Sequence, residues 1–183
     1  MSVIYIFNLF CAIFILLTPI LFHEVGHWLF LKKSKVPVKE VWLGLGPVIL
    51  NCKKLKIGML PLGAAVVPCP IQFEKISPME KIKIALAGPA FSLLYALICL
   101  IIWFFNINED YAFKGFLWLA WLNVVIAFLN LLPIPPLDGF RAVVHYREHV
   151  NKPINEKTLS MAYRAGNGFL YGVGFFVLGL YFF

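Results

Sequence analysis

Residues 2–31 read SVIYIFNLFCAIFILLTPILFHEVGHWLFL, with no charged side chain before the HEVGH cluster that begins at His23. A bilayer crossing takes about 20 apolar residues, and this stretch has them. It lacks the basic start and small-residue cleavage site of a secretory signal peptide, and it ends on two histidines and a glutamate. The stretch therefore reads as a membrane-spanning helix with chemistry at its inner end.

The rest of the chain agrees. The 183 residues are the length of one domain, 61% hydrophobic and only 14% charged, with 18 Phe and 5 Trp. Soluble domains run nearer half apolar and about a quarter charged. Mean hydropathy is +0.85. Further apolar stretches at 84–108, 115–137 and 165–183 predict four transmembrane helices in all. The expected fold is an all-α polytopic membrane protein, a single membrane-embedded core over 1–183 with no appended regulatory domain.

Ten of the 16 Lys and Arg lie between Lys32 and Lys83, five between Arg141 and Arg164, and Lys114 alone in the loop between the second and third spans. Four spans put both basic segments on one face, which the positive-inside rule makes cytoplasmic, with both termini outside. The pI near 9.3 is thus a topology signal. No soluble basic module with interleaved aromatics is visible, so a nucleic-acid partner is not expected. Cys11, Cys52, Cys69 and Cys99 form no CxxC pair and read as free thiols.

The segment 36–70 has a different texture. Gly44, Gly46, Pro47, Gly58, Pro61, Gly63, Pro68 and Pro70 punctuate short β-branched and aromatic runs too short to span a bilayer. That pattern predicts a short β-hairpin lying at the membrane surface or dipping into it, with an ordinary surface loop as the alternative. From Phe140 to Arg164 the chain is charged and helix-compatible, with a break at Pro153.

HEVGH matches H-E-x-x-H. Residues four apart share a helix face, so His23 and His27 can turn imidazole nitrogens to one ion. Glu24 lies about 100° further round, beside the ion, where it can take a proton from water as general base. A charge at a helix centre costs about 2.5–3.5 kcal/mol to insert, so such a cluster inside a span is a functional hypothesis by default. A helix end already at the interface would explain it otherwise, but Trp28 to Leu31 continues apolar beyond the motif.

A catalytic zinc site usually has a third protein ligand. Asp138, in NLLPIPPLDG, is the candidate. Pro133, Pro135 and Pro136 must end the third helix, and Gly139 lets the backbone there approach a neighbour closely. Counted from the outer face, His23, His27 and Asp138 all arrive after 21 to 25 residues, some 30–38 Å deep at about 1.5 Å per residue. A dication, two neutral imidazoles, Asp138 and Glu24 sum to zero charge, the form a low-dielectric site tolerates best. Asp138 could also simply cap the following helix.

Together these motifs resemble the site-2 protease family of intramembrane metalloproteases. HEVGH, LGLGP, LPLGAAVV, ALAGPAFS and NLLPIPPLDG occur in the family's order between His23 and Gly139. The resemblance implies zinc held by His23, His27 and Asp138, Glu24 as general base, and substrates that are membrane-spanning segments of other proteins. It implies residence in a cell membrane, a bacterial inner membrane in the expected setting, with the active site near the cytoplasmic side. Asn130 stands at the family position before the PxPxxDG turn and is a candidate for holding substrate backbone, or an amide bonded only to a neighbouring helix. Ser92 replaces an asparagine usual in the family, and Gly63-Ala64-Ala65 replaces a GGY-like turn. Ser92 and Gly63 are the remaining candidates for substrate contact.

His145-Tyr-Arg-Glu148-His149 reads H-x-x-E-H, the inverted zinc-protease pattern. With Arg147, Lys152 and Lys157 around it, it reads as an ordinary charged helix face. Two rival functions stand beside the protease: a non-catalytic relative that binds membrane helices, and an ion transporter. Glu24 argues against the first and the lack of an internal repeat against the second.

Overall fold

A computed structural model describes the backbone of residues 2–105 and 111–182. Its elements run α1 (Ser2–Lys33), β1 (Val38–Cys52), β2 (Leu55–Pro68), α2 (Pro70–Phe73), α3 (Pro78–Phe105), α4 (Tyr111–Leu131), α5 (Asp138–His149) and α6 (Glu156–Phe182). The architecture is mostly helical with one small sheet. Among the described residues, Pro78–Phe105 and Lys114–Leu131 are long and apolar enough to cross a membrane. The expected span 84–108 ends outside the described residues, as do residue 183 and the side chain of Cys11. Cys52, Cys69 and Cys99 are free thiols.

The helix ends follow local chemistry. Lys35 adopts φ 57°, and the Val36 amide bonds back to the Leu31 carbonyl at 2.9 Å. With Lys35 N bonded to Lys32 O, this is a Schellman ending, completed by the buried pair Leu31 and Val36. α3 begins at Pro78, six residues before the apolar run at Ile84. Ser77 and Glu80 form a reciprocal capping box there, with Pro78 in the first helical position. α4 stops at Leu131, short of the expected 137, because Pro133 follows. α6 starts at Glu156 instead of 165, where the Asn155 side chain accepts the Lys157 amide at 2.9 Å.

The hairpin expected over 36–70 is present. β1 and β2 are antiparallel from Val38↔Pro68 to Cys52↔Leu55, joined at Lys53-Lys54. The register is irregular. Val41, Trp42 and Leu43 take partners from both Leu55–Ile57 and Ala64–Val66, so both ends of β2 flank the same stretch of β1. Gly44, Gly46 and Gly63, all near φ +87°, supply the backbone turns this needs.

α3 is central, touching α1, α4 and α5. Against α4 it packs small residues, with Ala96, Cys99 and Ala120 buried beside Leu119, which lets the two helices approach closely. Outward, Leu97, Phe104, Trp118, Trp121 and Phe128 are exposed, as a lipid-facing surface requires. At the other end, Leu31, Val36 and Ile84 tie α1, the hairpin base and α3 into one cluster.

Candidate metal centre

His23 and His27 lie one turn apart on α1 and face the N-terminus of α5, where Asp138 is the first residue. Asp138 Oδ2 is 2.9 Å from His23 Nε2 and 3.2 Å from His27 Nε2, and the two Nε2 atoms are 3.3 Å apart. All three residues are buried. Among the described residues they are the one group of three or more His, Cys, Asp or Glu gathered closely enough to hold a metal ion.

The donor set fits a cation. His27 Nδ1 is 2.8 Å from the Ile84 carbonyl oxygen, which can only accept, so Nδ1 carries the ring hydrogen. In the neutral ring Nε2 then presents a lone pair to a carboxylate oxygen at 3.2 Å. Two acceptors face one another there, an arrangement a shared cation satisfies.

Small residues make the convergence possible. A β-carbon on Gly88 of α3 would collide with both His23 Nε2 and His27 Nε2. One on Gly139 would collide with the Leu131 carbonyl, so glycine after Asp138 lets α5 start against the end of α4.

Glu24 lines the same cavity of about 760 Å3, and its Oε2 accepts the Val66 amide hydrogen at 2.9 Å. Gly63 to Pro68 of β2 form one wall, and Asn130 with Pro136 another. Asn130 Nδ2 donates to Ile126 O within α4 at 2.9 Å. Ser92 is not among the cavity-lining residues. It lies fully buried behind His23, with Oγ 3.0 Å from Nδ1.

The sequence profile of peptidase family M50 matches residues 11–113 and 106–173. The chain belongs to peptidase family M50. The motif resemblance to site-2 proteases is borne out by a solved site-2 protease from Methanocaldococcus jannaschii. That structure superposes with a TM-score of 0.57 at 25% identity, covering 91% of this chain and 67% of the other. A zinc metalloprotease of the same archaeon is 29% identical over 132 residues, 71% of this chain and 32% of its own. A Mycolicibacterium smegmatis protein provisionally named zinc metalloprotease Rip2 is 30% identical over 160 residues, 79% of this chain and 58% of its own. The chain thus spans about a third and just over half the length of these two relatives. Family membership and the two apolar helices put this M50 chain in the membrane.

Sequence reading of this M50 chain missed three residues. Lys81 is 2% exposed, with Nζ 3.0 Å from both Glu74 Oε2 and Glu148 Oε1, joining the segment after α2 to α3 and α5. Its partners lie 7 and 67 residues away, so no local pattern announces it. Asn123 is fully buried in α4, its Nδ2 on the Leu119 carbonyl. Gly88 stood in a quoted motif, but only the fold shows what its missing side chain makes room for. The H-x-x-E-H stretch gathers no ion-binding group among the described residues. It is not simply a solvated face either: His145 stacks edge-on to Phe73 and pairs with Glu148 at 3.2 Å.

Proposed function

We propose that this chain is a single membrane-embedded core that hydrolyses peptide bonds within or near transmembrane segments of other proteins. The observation that carries the reading is the meeting of His23, His27 and Asp138 around one point, with Glu24 on the same cavity. His23, His27 and Asp138 would hold zinc, the ion for which the relatives are named. Zinc bound there supplies Lewis acidity, lowering the pKa of water and polarising a carbonyl.

The chain's own groups do the rest. Glu24 takes a proton from the attacking water at its carboxylate and passes it to the leaving amine. The cavity of about 760 Å3 would admit water to a bond that a membrane helix otherwise shields. Gly63 to Val67 of β2 line this cavity and would pair with an unwound substrate strand. Asn130, which lines the same cavity, would hold substrate backbone through its side-chain oxygen, since its Nδ2 is bonded to Ile126 O.

In this reading α1, α3, α4 and α6 are four spans. The hairpin and α5 belong to the cytoplasmic side, the active site lies near that face, and a bacterial inner membrane is the expected setting.

Membrane proteomes of cells expressing the wild-type chain or Glu24→Gln test it. New peptide ends inside membrane spans, present with wild type and absent with the variant, are expected. Identical sets of ends from both chains would instead favour a relative that binds membrane helices without cutting them.

A further inference from the structure

Each of the three converging side chains is held from behind by one outer partner. Ile84 O takes His27 Nδ1, Arg141 Nη1 sits 3.6 Å from Asp138 Oδ1, and Ser92 Oγ is 3.0 Å from His23 Nδ1. The three partners differ in kind. The Ile84 carbonyl is backbone and can only accept, so it permits one His27 tautomer. Arg141 is half exposed and only donates. Ser92 has no solvent exposure, and its hydroxyl can donate or accept by rotating.

That difference singles out His23. With the ring hydrogen on Nδ1, donated to Ser92 Oγ, the Nε2 lone pair points into the site. With the hydroxyl turned to donate, Nδ1 accepts, and Nε2 carries the hydrogen toward Asp138 Oδ2 at 2.9 Å. The first arrangement leaves Nε2 free for an ion; the second closes the site with an internal hydrogen bond. The second satisfies both ring nitrogens by itself, and the first satisfies them once an ion is bound, so in each case the costly unmet buried group is avoided.

We infer that Ser92 is a positioning residue of the metal centre: its hydroxyl receives the Nδ1 hydrogen of His23 and keeps Nε2 turned to the ion. The inference rests on the metal-centre reading above and assigns Ser92 to the ligand shell's support instead of to substrate. Ser92 lies on α3 beside Gly88, so one helix supplies both the room for the imidazoles and the orientation of one of them.

The test is zinc affinity, read by chelator competition on purified wild-type, Ser92→Ala and Ser92→Thr chains, with metal-free melting as the check of fold. Outer partners of metal ligands are worth about 10–100-fold in affinity, so Ser92→Ala should lose that much and Ser92→Thr should recover most of it. A purely packing role would lower the melting temperature and leave affinity unchanged. Wild type and Ser92→Ala binding zinc alike overturns the inference while leaving the metal centre intact. A wild-type chain that holds no zinc overturns the metal reading itself, and this inference with it. If neither variant folds, the 15N-histidine spectrum of the zinc-loaded wild type decides. A solvent-protected His23 Nδ1–H supports the inference, and a ring hydrogen on Nε2 overturns it.

Discussion

Glu24 Oε2 accepts the backbone hydrogen of Val66 at 2.9 Å, tying the first helix to the second strand across 42 residues of chain. The carboxylate proposed to move the proton is therefore oriented by the strand proposed to receive substrate. A hydrogen bond to a charged group is worth about 1.5–3 kcal/mol. Val66→Pro, which removes the donor, should slow cleavage about 10–100-fold with zinc retained, whereas Val66→Ala should be near wild type. Equal rates for the two variants would show that the strand does not position Glu24.

Gly88 leaves the space the imidazoles occupy. Gly88→Ala should abolish zinc binding, beyond the roughly 100-fold that loss of an outer partner costs, because the added carbon meets both Nε2 atoms. Far-UV circular dichroism should stay unchanged, since alanine is the better helix former. Full zinc occupancy in this variant would contradict the site geometry.

Asp138 supplies the oxygen both histidines share. Removing the ion from the wild-type chain with a chelator should stop proteolysis, and added zinc should restore it. Asp138→Ala should lose activity in a way zinc does not restore, with affinity down by more than the roughly 100-fold upper bound for outer partners. Restoration by excess zinc to wild-type rate would remove Asp138 from the ligand set.

Lys81, Glu148 and His145 couple stability to pH. Burial works to raise the Glu148 pKa, but hydrogen bonds from Lys81 and His145 outweigh it and hold the carboxyl below its ordinary 4.5. Because the folded value is depressed, the stabilisation is present above pH 4.5 and is lost as pH falls through the folded value. Burial also holds His145 below its ordinary 6.5, so stability starts to fall as pH drops under 6.5. Melting in detergent from pH 7 to pH 4 should show this decline, and Glu148→Gln should be less stable at pH 7 with a flatter profile. Parallel profiles for the two chains would mean the pair contributes nothing.

What the residues alone determined is the kind of solvent, the order of elements and the candidate ligands. Several long uncharged runs in one short chain favour a bilayer, glycine and proline punctuation between β-branched runs favours a hairpin, and H-E-x-x-H on a helix turns both histidines to one face. Local capping then set the ends. The prolines from Pro133 onward end the third helix as expected, and the Ser77–Glu80 box was readable in principle, although apolar length alone misplaced both boundaries by about six residues, since hydropathy marks the lipid and hydrogen bonds mark the helix. Tertiary structure decided what depends on residues far apart in the chain. Ser92 came to lie 3.0 Å from His23 Nδ1 and outside the cavity lining, Val66 reached Glu24, and Lys81 found Glu148. No periodicity encodes these contacts, because each comes from how α1, α3, α5 and the hairpin pack against one another, and packing is a property of the whole fold.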